Sequence, residues 1–203
     1  MKLAKLIAGT AAALVADEGV HAVAAGLQGS TLLRPPGSQG ERDFIARCTK
    51  CGRCIQACPY KALHAAGPEQ GAASGTPFID PERQACRMCA DFPCVAACPT
   101  EALRDVEEPE DVEMGYALID EEACIAFRGL RCEVCYRVCP LIDQAIFLQF
   151  GDIDNDSIHT KFMPTIDTNV CTGCGLCVQR CVVREPKVPI RIVSRAEQEK
   201  SDS

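Results

Sequence analysis

Sixteen cysteines, all of them in four quartets of similar grammar, constrain this 203-residue chain more than any other feature. The quartets are Cys48, Cys51, Cys54 and Cys58; Cys86, Cys89, Cys94 and Cys98; Cys124, Cys132, Cys135 and Cys139; and Cys171, Cys174, Cys177 and Cys181. The first reads C-x2-C-x2-C-x3-C-P, and Pro59, Pro99 and Pro140 follow the first three quartets, whereas Val182 follows the last. A cubane cluster needs thiolates converging from several directions. This spacing wraps three sulfurs around one cluster and turns the fourth towards a second cluster. The proline then ends the turn, because it has no N–H to donate and restricts the residue before it. The pattern therefore predicts sixteen ligands to four [4Fe-4S] clusters.

Two other uses of cysteine fit less well. Disulfide scaffolds belong mainly to short secreted chains and do not require four repeats of this grammar. Zinc ribbons also use C-x2-C pairs, but separate two such pairs by a longer spacer. Aromatic residues make up only 5% of the chain and tryptophan is absent, so the apolar core is expected to be modest. Clusters would then act as staples, and their binding energy would be folding energy. The apo chain is expected to be largely unfolded. With four ligated cubanes near −2 each, the formal charge of −7 would fall to roughly −15. That charge sets the chain against nucleic acid as a partner.

In chain order, residues 1–31 read as a leader. Lys2 and Lys5 precede an apolar run from Leu6 to Ala16, and Ala22-Val23-Ala24 offers a small-residue cleavage site. The run is too short to span a bilayer. Export of a folded, cluster-loaded protein calls for a twin-arginine signal, and no Arg-Arg pair is present in that segment. A start further upstream, or retention in the cytoplasm, is the expectation that follows. Residues 32–40 read as a Pro-rich, semi-rigid linker around Pro35-Pro36. Residues 41–195 form the four-cluster domain, opened by a helix from Glu41 to Arg47, and 196–203 a polar, disordered tail.

Within that domain a second pattern repeats. Pro77-Phe78-Ile79-Asp80, Ala117-Leu118-Ile119-Asp120 and Pro164-Thr165-Ile166-Asp167 stand ahead of the last three quartets. Short apolar segments follow the quartets at Ala62-Leu63, Ala102-Leu103, Ala145 to Leu148 and Ile190 to Val193. Strand, cysteine loop, short helix, strand is the half-unit of a bacterial-type ferredoxin, complete in three copies and without a clear leading strand in the first. The fold class is therefore α+β, as tandem bacterial-type 2[4Fe-4S] ferredoxin-like units.

Other features read as structure. Ala65 to Thr76 is a Gly-rich surface loop, and Asp105 to Glu113, with six acids in nine residues, a solvated loop. Asp152, Asp154 and Asp156 alternate like calcium ligands, but Ser157 and Met163 occupy the positions of the required glycine and glutamate. A polar turn between strands suffices. His21, His64 and His159 are isolated surface residues, and Arg47, Lys50 and Arg53 are solvated charges beside the first quartet. No Ser/His/Asp arrangement, phosphate loop or flavin pocket is visible, so the chain reads as an electron carrier without its own catalytic site.

RPPG before the first quartet, CRMCADFPCVAACP, GLRCEVCYRVCPLID after a long first gap, and FMPTIDTNVCTGCGLC together resemble the ferredoxin-type NapG/MauM family over roughly residues 32–193. The resemblance implies a four-cubane carrier working beside a membrane-bound, quinol-oxidising NapH-like protein. It would pass electrons towards periplasmic nitrate reductase or that enzyme's carriers, as a periplasmic, membrane-associated protein. A MauM-like role in electron transfer or maturation for methylamine oxidation, or for another redox enzyme, is the alternative. Pairing of the sites stays open. Sequential pairing joins the first quartet to the second and the third to the fourth. By analogy with four-cluster subunits of molybdenum oxidoreductases, nested pairing is favoured, with Cys58 joining Cys171, Cys174 and Cys177, and Cys98 joining Cys124, Cys132 and Cys135.

Overall fold

The computed structural model describes residues 31–153 and 156–201, without the side chains of 156 and 157. The expected leader therefore lies outside the described residues, apart from Thr31. The chain is mixed helix and strand, with short elements because each quartet interrupts the backbone after a few residues. In order they are α1 (Glu41–Arg47), α2 (Arg53–Ala57), β1 (Leu63–Ala65), a 3-10 helix (Pro68–Ala73), β2 (Pro77–Ile79), α3 (Pro93–Ala96) and a second 3-10 helix (Pro109–Asp111). These make an N-terminal unit. The C-terminal unit runs β3 (Gly115–Ile119), α4 (Val134–Val138), β4 (Ile146–Ile153), β5 (Asp156–Ile166), α5 (Leu176–Arg180), β6 (Ile190–Ser194) and α6 (Arg195–Ser201).

Three antiparallel two-stranded sheets organise these pieces. β1 pairs with β2 through Leu63↔Ile79, and β4 forms a long hairpin with β5 from Ile146↔Ile166 to Asp152↔Thr160. β3 pairs with β6 from Gly115↔Ser194 to Ile119↔Ile190, so the second unit closes its first strand on its last. The first unit makes the corresponding closure with single bridges, Leu33↔Ile79 and Ser38↔Leu103. Its missing leading strand is thus supplied by the Pro-rich segment, where Pro35 and Pro36 cannot donate ladder hydrogen bonds.

That segment corrects one expectation. Residues 32–40 are no linker: Pro35 and Pro36 are fully buried, and Leu33, Arg34 and Ser38 are buried with them. The Arg34 guanidinium is paired with Glu41, donates 2.9 Å hydrogen bonds to the Thr76 hydroxyl and the Pro77 carbonyl, and lies over the Phe44 ring. A buried charge is tolerable only when its donors are satisfied in this way. The tail differs too. Residues through Ser201 are helical, Ala196 is buried, and the Glu199 carboxylate accepts from the Glu41 amide at 3.3 Å. The Gly-rich stretch 65–76 carries a 3-10 helix and buries Ala66, Ala73 and Thr76.

The core is modest, as the composition requires. One cluster packs Phe44, Leu63, Ile79, Val95, Leu103, Val112, Met114 and Leu176 around several cysteines; a smaller one packs Ala117, Ile146, Val178 and Ile190. Leu176 belongs to the C-terminal unit yet sits in the first cluster, so the two units share apolar surface.

Candidate metal centres

The strand-to-quartet junctions show how the sulfurs are aimed. Asp80, Asp120 and Asp167 each end a strand, and each carboxylate accepts a backbone N–H two or three residues on: Glu82 at 3.1 Å, Ala123 at 3.2 Å and Asn169 at 2.9 Å. Their carbonyls accept from the amides of Gln84, Cys124 and Cys171. This Asx turn reverses the chain into the cysteine loop. Inside three C-x2-C pairs the second intervening residue is left-handed: Lys50 (φ 58°), Met88 (φ 51°) and Gly173 (φ 72°). The bend brings both sulfurs to one side. A helix of four or five residues then carries the third cysteine; Cys58 and Cys139 leave their helices in extended conformation, and Cys181 leaves with φ −54° and ψ 134°. Cys181 does so without a following proline, so Val182 in place of proline leaves that exit intact.

Sulfurs from different quartets share cavities. Cys48, Cys51 and Cys54 line one cavity with Cys98. Cys58 lines a second with Cys86, Cys89 and Cys94. Cys139 lines a third with Cys171, Cys174 and Cys177, and Cys135 reaches its wall. The remaining four belong together electrostatically, since the Cys135 and Cys181 thiols both feel the charges of Cys124 and Cys132. The favoured nested pairing is therefore corrected: Cys58 joins the second quartet and Cys98 the first, and Cys139 and Cys181 exchange likewise. The cause is packing. α2 and α3 lie against each other within one unit and α4 and α5 within the other, which keeps each exchanged cysteine local.

The donor sets suit a polynuclear anionic group. The three cavities are lined by four, four and five cysteine sulfurs; among the described residues no three His, Cys, Asp or Glu side chains close on a single-ion position. The walls are apolar: Phe44, Ile55 and Leu103 at one site, Leu63, Ile79 and Phe92 at the next, and Ile146, Ile166 and Leu176 at another. Burial pushes the Cys54 thiol up to about 11 and those of Cys86, Cys94, Cys135 and Cys174 up to about 12. Bare thiols there stay protonated at neutral pH, and a metal group must displace those protons to bind. Cys51 differs: it is exposed, and the Arg53 amide and the Thr49 hydroxyl hold its thiol below the ordinary value. Arg87 lines the second cavity, and its buried Nε has no hydrogen-bond partner among the described residues. The rest of the half-buried guanidinium lies over the Tyr60 ring, and an Nε with no described hydrogen-bond partner there fits an anionic occupant.

Hydrogen bonds already reach some sulfurs. The Ala62 amide donates to Cys58 Sγ at 3.3 Å and the Ala117 amide to Cys171 Sγ at 3.4 Å, and the Thr100 hydroxyl stands 3.8 Å from Cys98 Sγ. Such contacts and the dryness of a site set cluster potentials. Sequence reasoning missed Arg87 and the role of the three aspartates, although the recurrent Ile-Asp before a quartet was a visible signal for the latter. The charges at Arg47, Lys50 and Arg53 stay at the surface.

Comparison with known proteins agrees with this chemistry. The 4Fe-4S dicluster domain family matches residues 47–102. Ferredoxin-type protein NapG of Escherichia coli is 43% identical over 185 residues, 87% of this chain and 80% of that protein. The methylamine utilization ferredoxin-type protein MauM of Paracoccus denitrificans is 43% identical over 165 residues, 80% of this chain and 71% of that protein. Ferredoxin-type protein NapF of Escherichia coli is more distant, 28% identical over 74% of this chain and 80% of its own length. Cysteine-ringed cavities and identity on this scale together mean that the chain belongs to the NapG/MauM family of ferredoxin-type, iron–sulfur electron-transfer proteins.

Proposed function

We propose that the chain holds four [4Fe-4S] clusters on its sixteen cysteines and carries electrons from a membrane quinol-oxidising partner of the NapH kind towards periplasmic nitrate reductase. The observation that supports the cluster part of this reading is the gathering of cysteines at three shared cavities, with Cys124, Cys132, Cys135 and Cys181 near one another; the electron route rests on the family likeness. Bound clusters supply one-electron transfer without bond making. The polypeptide holds them through thiolates, keeps water away with apolar walls, and biases their potentials through the amides of Ala62 and Ala117 and through Arg87. No separate catalytic step is required of the chain.

Membrane association is proposed to come through the partner: among the described residues no helix is long and apolar enough to cross a membrane. Placement on the periplasmic side follows from the family reading. Identity to MauM as high as that to NapG favours keeping a second reading, electron transfer or maturation for methylamine oxidation or another redox enzyme. Anaerobic affinity capture from solubilised membranes, with mass spectrometry of the co-purifying proteins, separates the two. Recovery of a multi-spanning quinol-oxidising protein together with nitrate reductase supports the first. Recovery of amine-oxidation components, or of an immature enzyme alone, replaces it with the second.

A further inference from the structure

The sequence numbers the four sites by quartet, but contacts between them follow a different order. Call the first site Cys48, Cys51, Cys54 and Cys98; the second Cys58, Cys86, Cys89 and Cys94; the third Cys124, Cys132, Cys135 and Cys181; and the fourth Cys139, Cys171, Cys174 and Cys177. Cys54 on α2 and Cys94 on α3 are buried in one apolar cluster, which makes the first and second sites neighbours. In the C-terminal unit Cys135, from the third site, also lines the cavity of the fourth. One junction remains, between the units. There the Cys86 amide donates to the Cys174 carbonyl at 3.0 Å, so backbone that carries a second-site ligand is bonded to backbone that carries a fourth-site ligand. Cys174 is buried in the apolar cluster of the N-terminal unit, and Cys86 packs against the same cluster. Around it, the Thr172 hydroxyl meets Met88 sulfur at 4.0 Å, and the Gln179 side-chain amide donates to the Arg83 carbonyl and to Gln84 Oε1. No cysteine of the third site lines the first or second cavity.

We propose that the four sites stand in one line in the order first, second, fourth, third, joined between the units by the Cys86–Cys174 backbone contact. The inference rests on the four-cluster reading and adds its geometry. Electron exchange falls steeply with distance, so the line has two ends. One is the first site, where Cys51 reaches solvent, and the other is the third. Donor and acceptor are then met at opposite ends of the molecule, and the second and fourth sites serve only as relays.

Electron paramagnetic resonance of the fully reduced holo-protein tests the order, because neighbouring reduced cubanes broaden one another's signals and speed their relaxation. Cys171→Ala removes the fourth site; the expected result is an isolated, slowly relaxing signal from the third, beside a coupled pair from the first and second. Cys132→Ala removes the third site; the expected result is three coupled sites with no isolated signal. Each variant should retain about twelve irons, four per remaining site. An isolated signal in Cys132→Ala and none in Cys171→Ala would overturn the order. Wild-type iron well below about sixteen per chain would instead overturn the four-cluster reading on which the order rests. If either variant fails to fold, a photo-crosslinking residue at partly buried Gln179 in otherwise intact protein tests the junction directly. Crosslinks to the peptide holding Arg83 and Gln84 support it, and crosslinks confined to other segments overturn it.

Discussion

Replacing Arg34 by alanine should unlock the N-terminal unit. The guanidinium meets both oxygens of Glu41, the Thr76 hydroxyl and the Pro77 carbonyl, and stacks 4.8 Å from the Phe44 ring centroid. Both side chains of the pair are only 5% exposed, so solvent cannot take over the lost partner. Arg34→Ala leaves the Glu41 carboxylate buried and unpaired, which costs about 3–5 kcal/mol. That is about two to three and a half orders of magnitude in the opening equilibrium. Pro36 lines the second cavity, and Phe44 and Pro77 line the first, so the damage reaches these two sites. The assay is loss of visible cluster absorbance in moderate urea under anaerobic conditions. Where opening is fast relative to cluster loss, the rate follows the opening equilibrium. About half of the iron should leave at least a hundredfold faster than in the wild type, while the C-terminal unit lags. Arg34→Met combined with Glu41→Leu should recover most of the loss, because no charge is left stranded. A single variant within tenfold of wild type, or a double variant as labile as the single, would refute the reasoning.

Other outcomes follow from the same geometry. Cys98→Ala should abolish the same spectroscopic centre as Cys51→Ala, and Cys58→Ala the same centre as Cys89→Ala; four different lesions would disprove the grouping. Asp167→Ala should cost about 1 kcal/mol through loss of the turn that feeds Cys171, with Asp167→Asn close to wild type, read by urea-driven cluster loss. Gly37→Ala should be far more damaging than Gly52→Ala. Both glycines are left-handed, but a Cβ on Gly37 overlaps the Arg104 carbonyl, whereas no described atom lies within 4 Å of one on Gly52; melting of the two holo-proteins compares them. Arg87→Leu should move one cluster to a more negative potential in a redox titration and leave the iron content unchanged, because a cationic donor beside the second site favours the reduced, more negative form.

Much of this architecture was legible in the chain because ligand chemistry dictates spacing. The strands ahead of the last three quartets and the apolar returns at Leu63, Ile146 and Ile190 stand where the repeated grammar predicts them, and the helix from Glu41 to Arg47 forms as expected, but the return at Ala102-Leu103 is only a single bridge between Leu103 and Ser38. What escaped depends on contacts distant in sequence. Pro35-Pro36 reads as an exposed spacer until Arg34 is seen to find Thr76 and Pro77, and the polar residues after Arg195 read as a free tail until Glu199 is seen against Glu41. Pairing was illegible for the same reason: both schemes use the same cysteines, and only the packing of α2 on α3 and of α4 on α5 decides between them. Val182 after the last quartet misleads mildly, since the helix ends at Cys181 without proline.

Iron and acid-labile sulfide counted in one anaerobically purified sample test the central claim most directly. Four cubanes require about sixteen irons and about sixteen sulfides per chain. Zinc in place of iron, or about eight irons with half of the cysteines free to react with a thiol reagent in the folded protein, would contradict it.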